Sequence, residues 1–234
     1  MNRNIAVDGP AGAGKSTVAK EVAKRLGLVY VDTGAMYRAM AIYFLEQGLS
    51  PEDQEGITRA CRDAEVSIAY ENGVQQVYLG GKNVTGRIRE EAVGNMASRS
   101  SVYPAVRAKM TQLQQALAER TPVIMDGRDI GTVVLPQAAL KIYLTASAEE
   151  RARRRFRELA EKGEACELAD IERDIRERDR RDMNRETAPL RQAEDAVLVD
   201  ATEMDIEQVV GRILELYRER VPEATQGQAG RKGE

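Results

Sequence analysis

The stretch Gly9-Pro10-Ala11-Gly12-Ala13-Gly14-Lys15-Ser16 limits the possible fold more than any other part of this chain. It fits G-x-x-x-x-G-K-[ST], with a tighter G-x-x-G-x-G-K pattern nested inside it. Asn4-Ile5-Ala6-Val7-Asp8 ahead of it is a short apolar run that reads as a buried strand. Behind it, Ser16-Thr17-Val18 and the residues up to Leu26 carry apolar side chains at helical spacing, and Gly27 stops the pattern. Strand, glycine loop and helix together aim a row of backbone N–H groups and a helix N-terminus at an anion. The loop and Thr17 are therefore expected to hold a nucleoside triphosphate, with Lys15 on its β- and γ-phosphates and the Ser16 hydroxyl on Mg²⁺. The use made of the triphosphate is not written in the loop.

Further along, strands alternate with helices. Val29-Tyr30-Val31 reads as a strand ending in Asp32-Thr33-Gly34, and a helical pattern follows through Met36, Tyr37, Met40, Phe44 and Leu45. Residues 51 to about 65 read as another helix. The period then changes: residues 66–70 and 74–79 alternate around Asn72-Gly73, a β-hairpin signature, and residues 80–84 suggest a further turn and strand. Helical patterns resume near Arg89 and over 104–120. Residues 122–126, 140–144 and 196–200 complete a set of five core strands, with helices expected at about 148–162, 168–184 and 206–220. This order predicts an α/β fold of the P-loop NTPase type: a five-stranded parallel sheet flanked by helices, with a small antiparallel insert.

Composition excludes several chemistries. The chain has no histidine, so neither Ser-His-Asp catalysis nor a histidine metal site is possible. Phosphoryl transfer survives that exclusion, because it depends on positioning and charge neutralisation more than on a base. Cys61 and Cys166 stand far apart and suggest neither a disulfide framework nor a zinc site, which fits a reducing cytosol. No apolar stretch approaches membrane-spanning length, and no apolar region ahead of a cleavage site marks a signal peptide. Net charge is −3, and residues 149–185 hold twelve basic and twelve acidic side chains, so no stripe for nucleic acid is expected.

In an open parallel sheet, ligands gather at the carboxyl ends of the strands. There the sequence sets Asp8, Asp32-Thr33-Gly34-Ala35-Met36-Tyr37-Arg38, and Asp126-Gly127-Arg128-Asp129. Asp126 reads as an acid close to the metal-bound water shell. Arg38 and Arg128 are candidates for a second phosphate, which a guanidinium fork matches as lysine cannot. Two helical stripes, Arg151, Arg154 and Arg155, and Arg178, Arg181, Asp182 and Arg185, cluster like charges. A mobile lid closing on phosphates would relieve that repulsion.

These strings, with Val84-Thr85-Gly86-Arg87-Ile88-Arg89, Glu177-Arg178-Asp179-Arg180-Arg181-Asp182-Met183-Asn184-Arg185 and Ala188-Pro189-Leu190, resemble the bacterial cytidylate kinases over roughly residues 3–220. That family often has Ser where Thr33 stands; the hydroxyl is kept, and Thr33 is expected to contact substrate. The resemblance implies a core domain (1–64, 98–150 and 186–222), an acceptor-binding insert (65–97) and a lid (151–185), with a flexible tail at 223–234. It implies transfer of the γ-phosphoryl group of MgATP to CMP or dCMP by a cytoplasmic monomer. Ser98, Arg107 and Asp129 would read cytosine, Arg178 and Asp182 would hold the sugar, and Arg38, Arg128 and Arg185 would hold the acceptor phosphate. Lys15, Asp126, Arg128 and Arg185 would form the catalytic set, with Arg154 and Arg155 on ATP. The phosphate loop alone leaves open a kinase of another small acceptor, such as UMP or shikimate, or a nucleotide-dependent switch. The insert and the Asp126–Asp129 string argue against the first. The lack of an Asn/Thr-Lys-x-Asp guanine reader argues against a GTPase-type switch.

Overall fold

A computed structural model of the chain describes residues 2–222. The expected tail at 223–234 lies outside them. In order, the elements are β1 (Ile5–Asp8), α1 (Lys15–Leu26), β2 (Val29–Asp32), α2 (Thr33–Glu46), α3 (Gln54–Asp63), β3 (Val66–Glu71), β4 (Val74–Leu79) and β5 (Lys82–Asn83). They continue with α4 (Glu91–Ser100), α5 (Pro104–Arg120), β6 (Val123–Gly127), a π-helical turn (Ile130–Val134), β7 (Leu140–Thr145), α6 (Ala148–Glu161), α7 (Leu168–Asn184), β8 (Val197–Asp200) and α8 (Ile206–Arg220). No helix among the described residues is long and apolar enough to cross a membrane.

The five-stranded sheet has the order β2-β6-β1-β7-β8. β1 pairs in parallel with β6 and β7, and β7 with β8, which sets Asp8 beside Gly127 on one side and Tyr143 on the other. The described residues divide into two compact units, 2–30 with 121–222, and 31–120.

In the first unit, the central strands β1, β6 and β7 are almost wholly buried, so they read as apolar runs. Ile5, Val7, Ile124, Leu140, Ile142 and Leu144 pack in one core with Val18 and Val22 of α1 and with Val210, Ile213 and Tyr217 of α8. A capping box of Asp205 and Gln208 starts α8. In the second unit, α2 is buried nearly all round, from Ala35 and Met36 to Ile42 and Phe44. Around it lie α3, α4, α5 and the antiparallel sheet β3-β4-β5. The hairpin turns at Asn72-Gly73, both with positive φ, as the Asn-Gly pair predicts. Residues 65–97 lie wholly inside this unit.

Most element ends fall within two or three residues of the sequence expectation. The helix expected from Pro51 starts at Gln54, because Asp53 caps it by accepting from the Gly56 N–H. The π-helical turn after Asp129 was not foreseen, since its five residues Ile-Gly-Thr-Val-Val carry no periodic signal.

Candidate functional site

Glycine sets the shape of the phosphate loop between β1 and α1. Gly9 sits at φ +148°, and a Cβ there would lie 1.9 Å from the Leu144 carbonyl oxygen on β7, so a larger residue would displace the strand. The first turn of α1 holds no acid, and its positive dipole end is left for an anion.

Lys15 opens α1 and is 7% exposed. Its ammonium donates to the loop carbonyls of Gly9 and Pro10 at 2.8 and 2.7 Å. Burial and then the nearby Arg128 charge lower its pKa well below the usual lysine range, against the opposing pull of Asp126 and Asp8. The next residue, Ser16, donates through Oγ to Asp126 Oδ2 at 2.6 Å. The hydroxyl on the helix and the acid at the end of β6 thus meet, as strand-end logic expects. Tyr30 donates through its hydroxyl to Asp126 Oδ1 at 3.1 Å and fixes the other carboxylate oxygen.

Asp8 has a different task. Its two oxygens accept from the N–H groups of Ile130 and Gly131, each at 2.7 Å. The end of β1 therefore pins the π-helical turn that follows Arg128 and Asp129, and so aims those two side chains. Burial pushes the Asp8 carboxyl up to about 6 from its ordinary 3.8. The two backbone bonds pull it back, the Asp129 charge raises it and Lys15 lowers it.

Arginines and acids of the same unit interlock. Arg128 Nε donates to Asp182 Oδ2 on α7 at 2.8 Å. Burial raises the Asp182 carboxyl, but the charges of Arg128, Arg178 and Arg185, with the Arg128 bond, outweigh that and hold it below the usual carboxylate value. Arg185 is nearly buried, with Nη2 3.9 Å from Asp129 and Nε donating to the Ala188 carbonyl at 2.7 Å. Arg154 donates to Glu150 and to the Ala201 carbonyl, and its Nη1 lies 4.0 Å from where a Gly14 Cβ would be. Arg155, one residue on, is about half exposed and pairs with Glu158 at 2.8 Å. Arg181 is likewise exposed and lies 3.8 Å from Glu177. The expected stripes therefore divide: Arg151, Arg154, Arg178 and Arg185 turn inward, while Arg155 and Arg181 face outward.

The second unit carries the other expected residues. Thr33 is buried at the start of α2, where the Asp32 side chain caps the helix through the Ala35 N–H at 2.9 Å. Gln75 of β4 exchanges two bonds with the Asp32 backbone, at 2.8 and 3.2 Å, and ties the hairpin to that helix start. Arg38 folds back toward this turn, its Nη1 3.6 Å from where a Gly34 Cβ would be. Arg107 on α5 is 4% exposed, 5.7 Å from the Tyr37 ring centroid, and donates through Nη1 to the Ser101 carbonyl at 3.1 Å. Ser101 in turn donates to the Ser98 carbonyl at 2.9 Å, so Ser98 and Arg107 are linked through one residue.

Sequence reasoning gave no role to Tyr30, Gln75, Ser101 or Asp179, and placed Arg151 only in a helical stripe expected to close on phosphates. Tyr30 left one usable sign, a polar-tipped aromatic inside a buried strand, which needs a partner for its hydroxyl. Gln75 left none, because it alternates like any other hairpin residue.

The family model described as cytidylate kinase matches residues 5–219. The chain is 49% identical over 214 residues to the cytidylate kinase of Caldicellulosiruptor bescii, covering 92% of this chain and 95% of that one. It is 50% identical over 212 residues to the cytidylate kinase of Carboxydothermus hydrogenoformans, covering 91% and 96%. A crystal structure of an uncharacterized protein from Eubacterium ventriosum matches at a TM-score of 0.53 and 10% identity, covering 93% and 99%, a likeness of fold alone.

Proposed function

The chain belongs to the cytidylate kinase family, and from that premise we propose how it works: it transfers the γ-phosphoryl group of ATP to CMP or dCMP, giving CDP or dCDP and ADP. The observation that carries this reading is the family match over residues 5–219, which takes in the phosphate loop, the Asp126–Asp129 string and α7 together.

In the proposed mechanism the glycine loop and the α1 N-terminus bind the ATP phosphates, and Lys15 shields the β- and γ-oxygens. Burial first, and then the charges of Arg128 and Arg178, lower the Lys15 pKa, and a bound polyphosphate would favour its charged form. Ser16 and Asp126 present a hydroxyl oxygen and a carboxylate oxygen 2.6 Å apart, a donor set that fits Mg²⁺. When bound, that ion would neutralise charge across the β- and γ-oxygens. Arg154, beside the loop, and Arg155 are proposed to serve ATP as well; of the two, Arg154 has the better support from its place near Gly14.

For the acceptor, we assign Asp129, Arg107 and Ser98 to cytosine. A carboxylate accepts from the exocyclic amine of cytosine, and uracil would set a carbonyl against it. Asp182 and Arg178 are assigned to the sugar, with Arg38, Arg128, Arg185 and Thr33 around the acceptor phosphate. The Arg128–Asp182 pair keeps both side chains ordered before substrate arrives. Nucleophilic attack by a phosphate oxygen needs no strong base, in keeping with a chain without histidine. Residues 65–97 are read as the acceptor-binding insert and 151–185 as a lid that excludes water on closing. The active form is proposed to be a monomer. Free Cys61 and Cys166 agree with a cytoplasmic setting.

The test is a coupled ADP-release assay with ATP against CMP, dCMP, UMP and shikimate. Turnover with CMP and dCMP well above the others is the expected outcome; preference for another acceptor would overturn the reading.

A further inference from the structure

The mechanism above gives no task to Arg151, although it is among the most heavily engaged side chains of the first unit. It lies near the start of α6 and is 5% exposed. Its guanidinium reaches three separate pieces of chain. Nε donates to the Ala146 carbonyl just past β7 at 2.8 Å, Nη1 to the Ala11 carbonyl in the phosphate loop at 3.0 Å, and Nη2 to Asp179 Oδ2 on α7 at 2.7 Å. A Cβ on Gly12 would lie 3.4 Å from the Arg151 Cβ, so the loop rests directly against this side chain. Asp179 is 9% exposed and sits on α7 next to Arg178 and one turn before Asp182, which holds Arg128.

A buried ion pair is a poor way to stabilise a fold, because its desolvation cost offsets much of its attraction, and an apolar pair often does as well. An apolar pair could not hold a loop carbonyl and a helix carboxylate in one fixed plane, as a guanidinium fork does. In-line phosphoryl transfer needs that kind of order, since an error of about 1 Å in placement costs about 100-fold in rate.

We propose that Arg151, acting through Asp179, is a positioning residue that sets the phosphate loop and α7 in register, so that the donor phosphates and the acceptor held by α7 are aligned for transfer. This rests on the assignment of Arg178 and Asp182 to the acceptor. A residue with this role acts on the rate of transfer more than on the binding of either nucleotide. Each nucleotide still meets its own residues when the two elements slip.

The experiment compares Arg151→Lys, Asp179→Asn and the double variant Arg151→Met/Asp179→Leu with the wild type, at a temperature well below the Tm of each. Lysine keeps the charge but cannot span three acceptors, and the double variant keeps the packing without charge. The expected result is a fall in kcat of about 10- to 100-fold in all three, with KM for ATP and for CMP each within about threefold. The double variant is expected to keep a Tm near that of the wild type while showing the same loss of kcat. A folded double variant with kcat within twofold of wild type would overturn the inference, as would losses confined to KM. Asp182→Asn, measured alongside, separates the two layers of the argument. If it leaves the KM for CMP unmoved, the acceptor assignment of α7 fails, whatever the Arg151 variants do to kcat.

Discussion

The two compact units hold their proposed substrate-binding side chains by different means. In the first, bonds between residues remote in the chain, Ser16 to Asp126, Arg151 to Ala11 and Arg128 to Asp182, accompany local ones such as Lys15 to Gly9 and Pro10. In the second the bonds are mostly local: Asp32 to Ala35, Arg107 to Ser101, Ser101 to Ser98, with Gln75 to Asp32 as the long-range exception. Long-range contacts make the proposed donor site a product of the whole sheet, where one lost contact disturbs several elements. Local contacts make each residue of the second unit nearly independent, so a substitution there should touch one substrate and leave the other alone.

The sharpest way to test the first half of this contrast is Lys15→Ala. The ammonium bridges loop carbonyls and is assigned to the transferring phosphate, so its removal strikes both the loop and the charge balance. A fall in kcat on the order of 10²-fold or more is expected in the ADP-release assay. Near-normal turnover would take Lys15 out of the reaction.

Asp8 tests the same half through stability. Its carboxyl titrates at about 6 in the fold, above the ordinary 3.8. The folded state therefore binds a proton more readily than the unfolded chain. The stability this group contributes is fully present below about pH 3.8 and is lost as pH rises through about 6. The swing is on the order of 3 kcal/mol. Asp8→Asn removes the titration and also leaves one of two backbone N–H groups without its acceptor, a constant offset. Urea unfolding of both proteins should show the wild type losing its advantage over the variant between pH 4 and pH 7. A difference that stays flat across that range would mean that burial does not control Asp8.

This contrast also explains what could be read from the sequence. Nearly every strand and helix was legible, because the central strands are buried and the parallel strands stand out as apolar runs, several of them closed by an acid: Asp8, Asp32, Asp126 and Asp200. The phosphate loop was legible because its glycines carry a backbone requirement, as the clash at Gly9 shows. What could not be read were partners set by tertiary approach. Arg151 and Arg155 share a helical face, yet one meets Ala11 and Asp179 while the other reaches Glu158 at the surface. Helical spacing fixes direction around an axis but says nothing about which element packs there. The partner of the Tyr30 hydroxyl and the π-helical turn could not be read for the same reason: each depends on a neighbouring strand, through Asp126 in one case and Asp8 in the other.

Arg38→Ala tests the second half. The side chain lies over the turn that starts α2, and nothing at the phosphate loop is expected to depend on it. A loss of charge-assisted bonds to one phosphate should raise the KM for CMP by about 10-fold or more, with the KM for ATP within about twofold. Equal losses for both nucleotides would remove Arg38 from the acceptor site and, with it, the idea that the second unit acts on one substrate.

Asp129 belongs to the first unit, where the Asp8-pinned turn aims it, and it is proposed to read the same base as Arg107 and Ser98. Asp129→Asn keeps the size of the side chain. The amide carbonyl can still accept from the cytosine amine, but the amide N–H₂ can now donate to the uracil carbonyl, so the penalty against UMP weakens rather than disappears. The ratio of kcat/KM for CMP to that for UMP is expected to fall by several-fold to about 10-fold, with the KM for ATP nearly unchanged. Because Arg185 lies 3.9 Å from this carboxylate, a second effect is expected on kcat with CMP, as the guanidinium loses a charged neighbour. A CMP-to-UMP ratio that does not move, together with a lower kcat, would make Asp129 a partner of Arg185 alone and leave base reading to the locally held residues of the second unit.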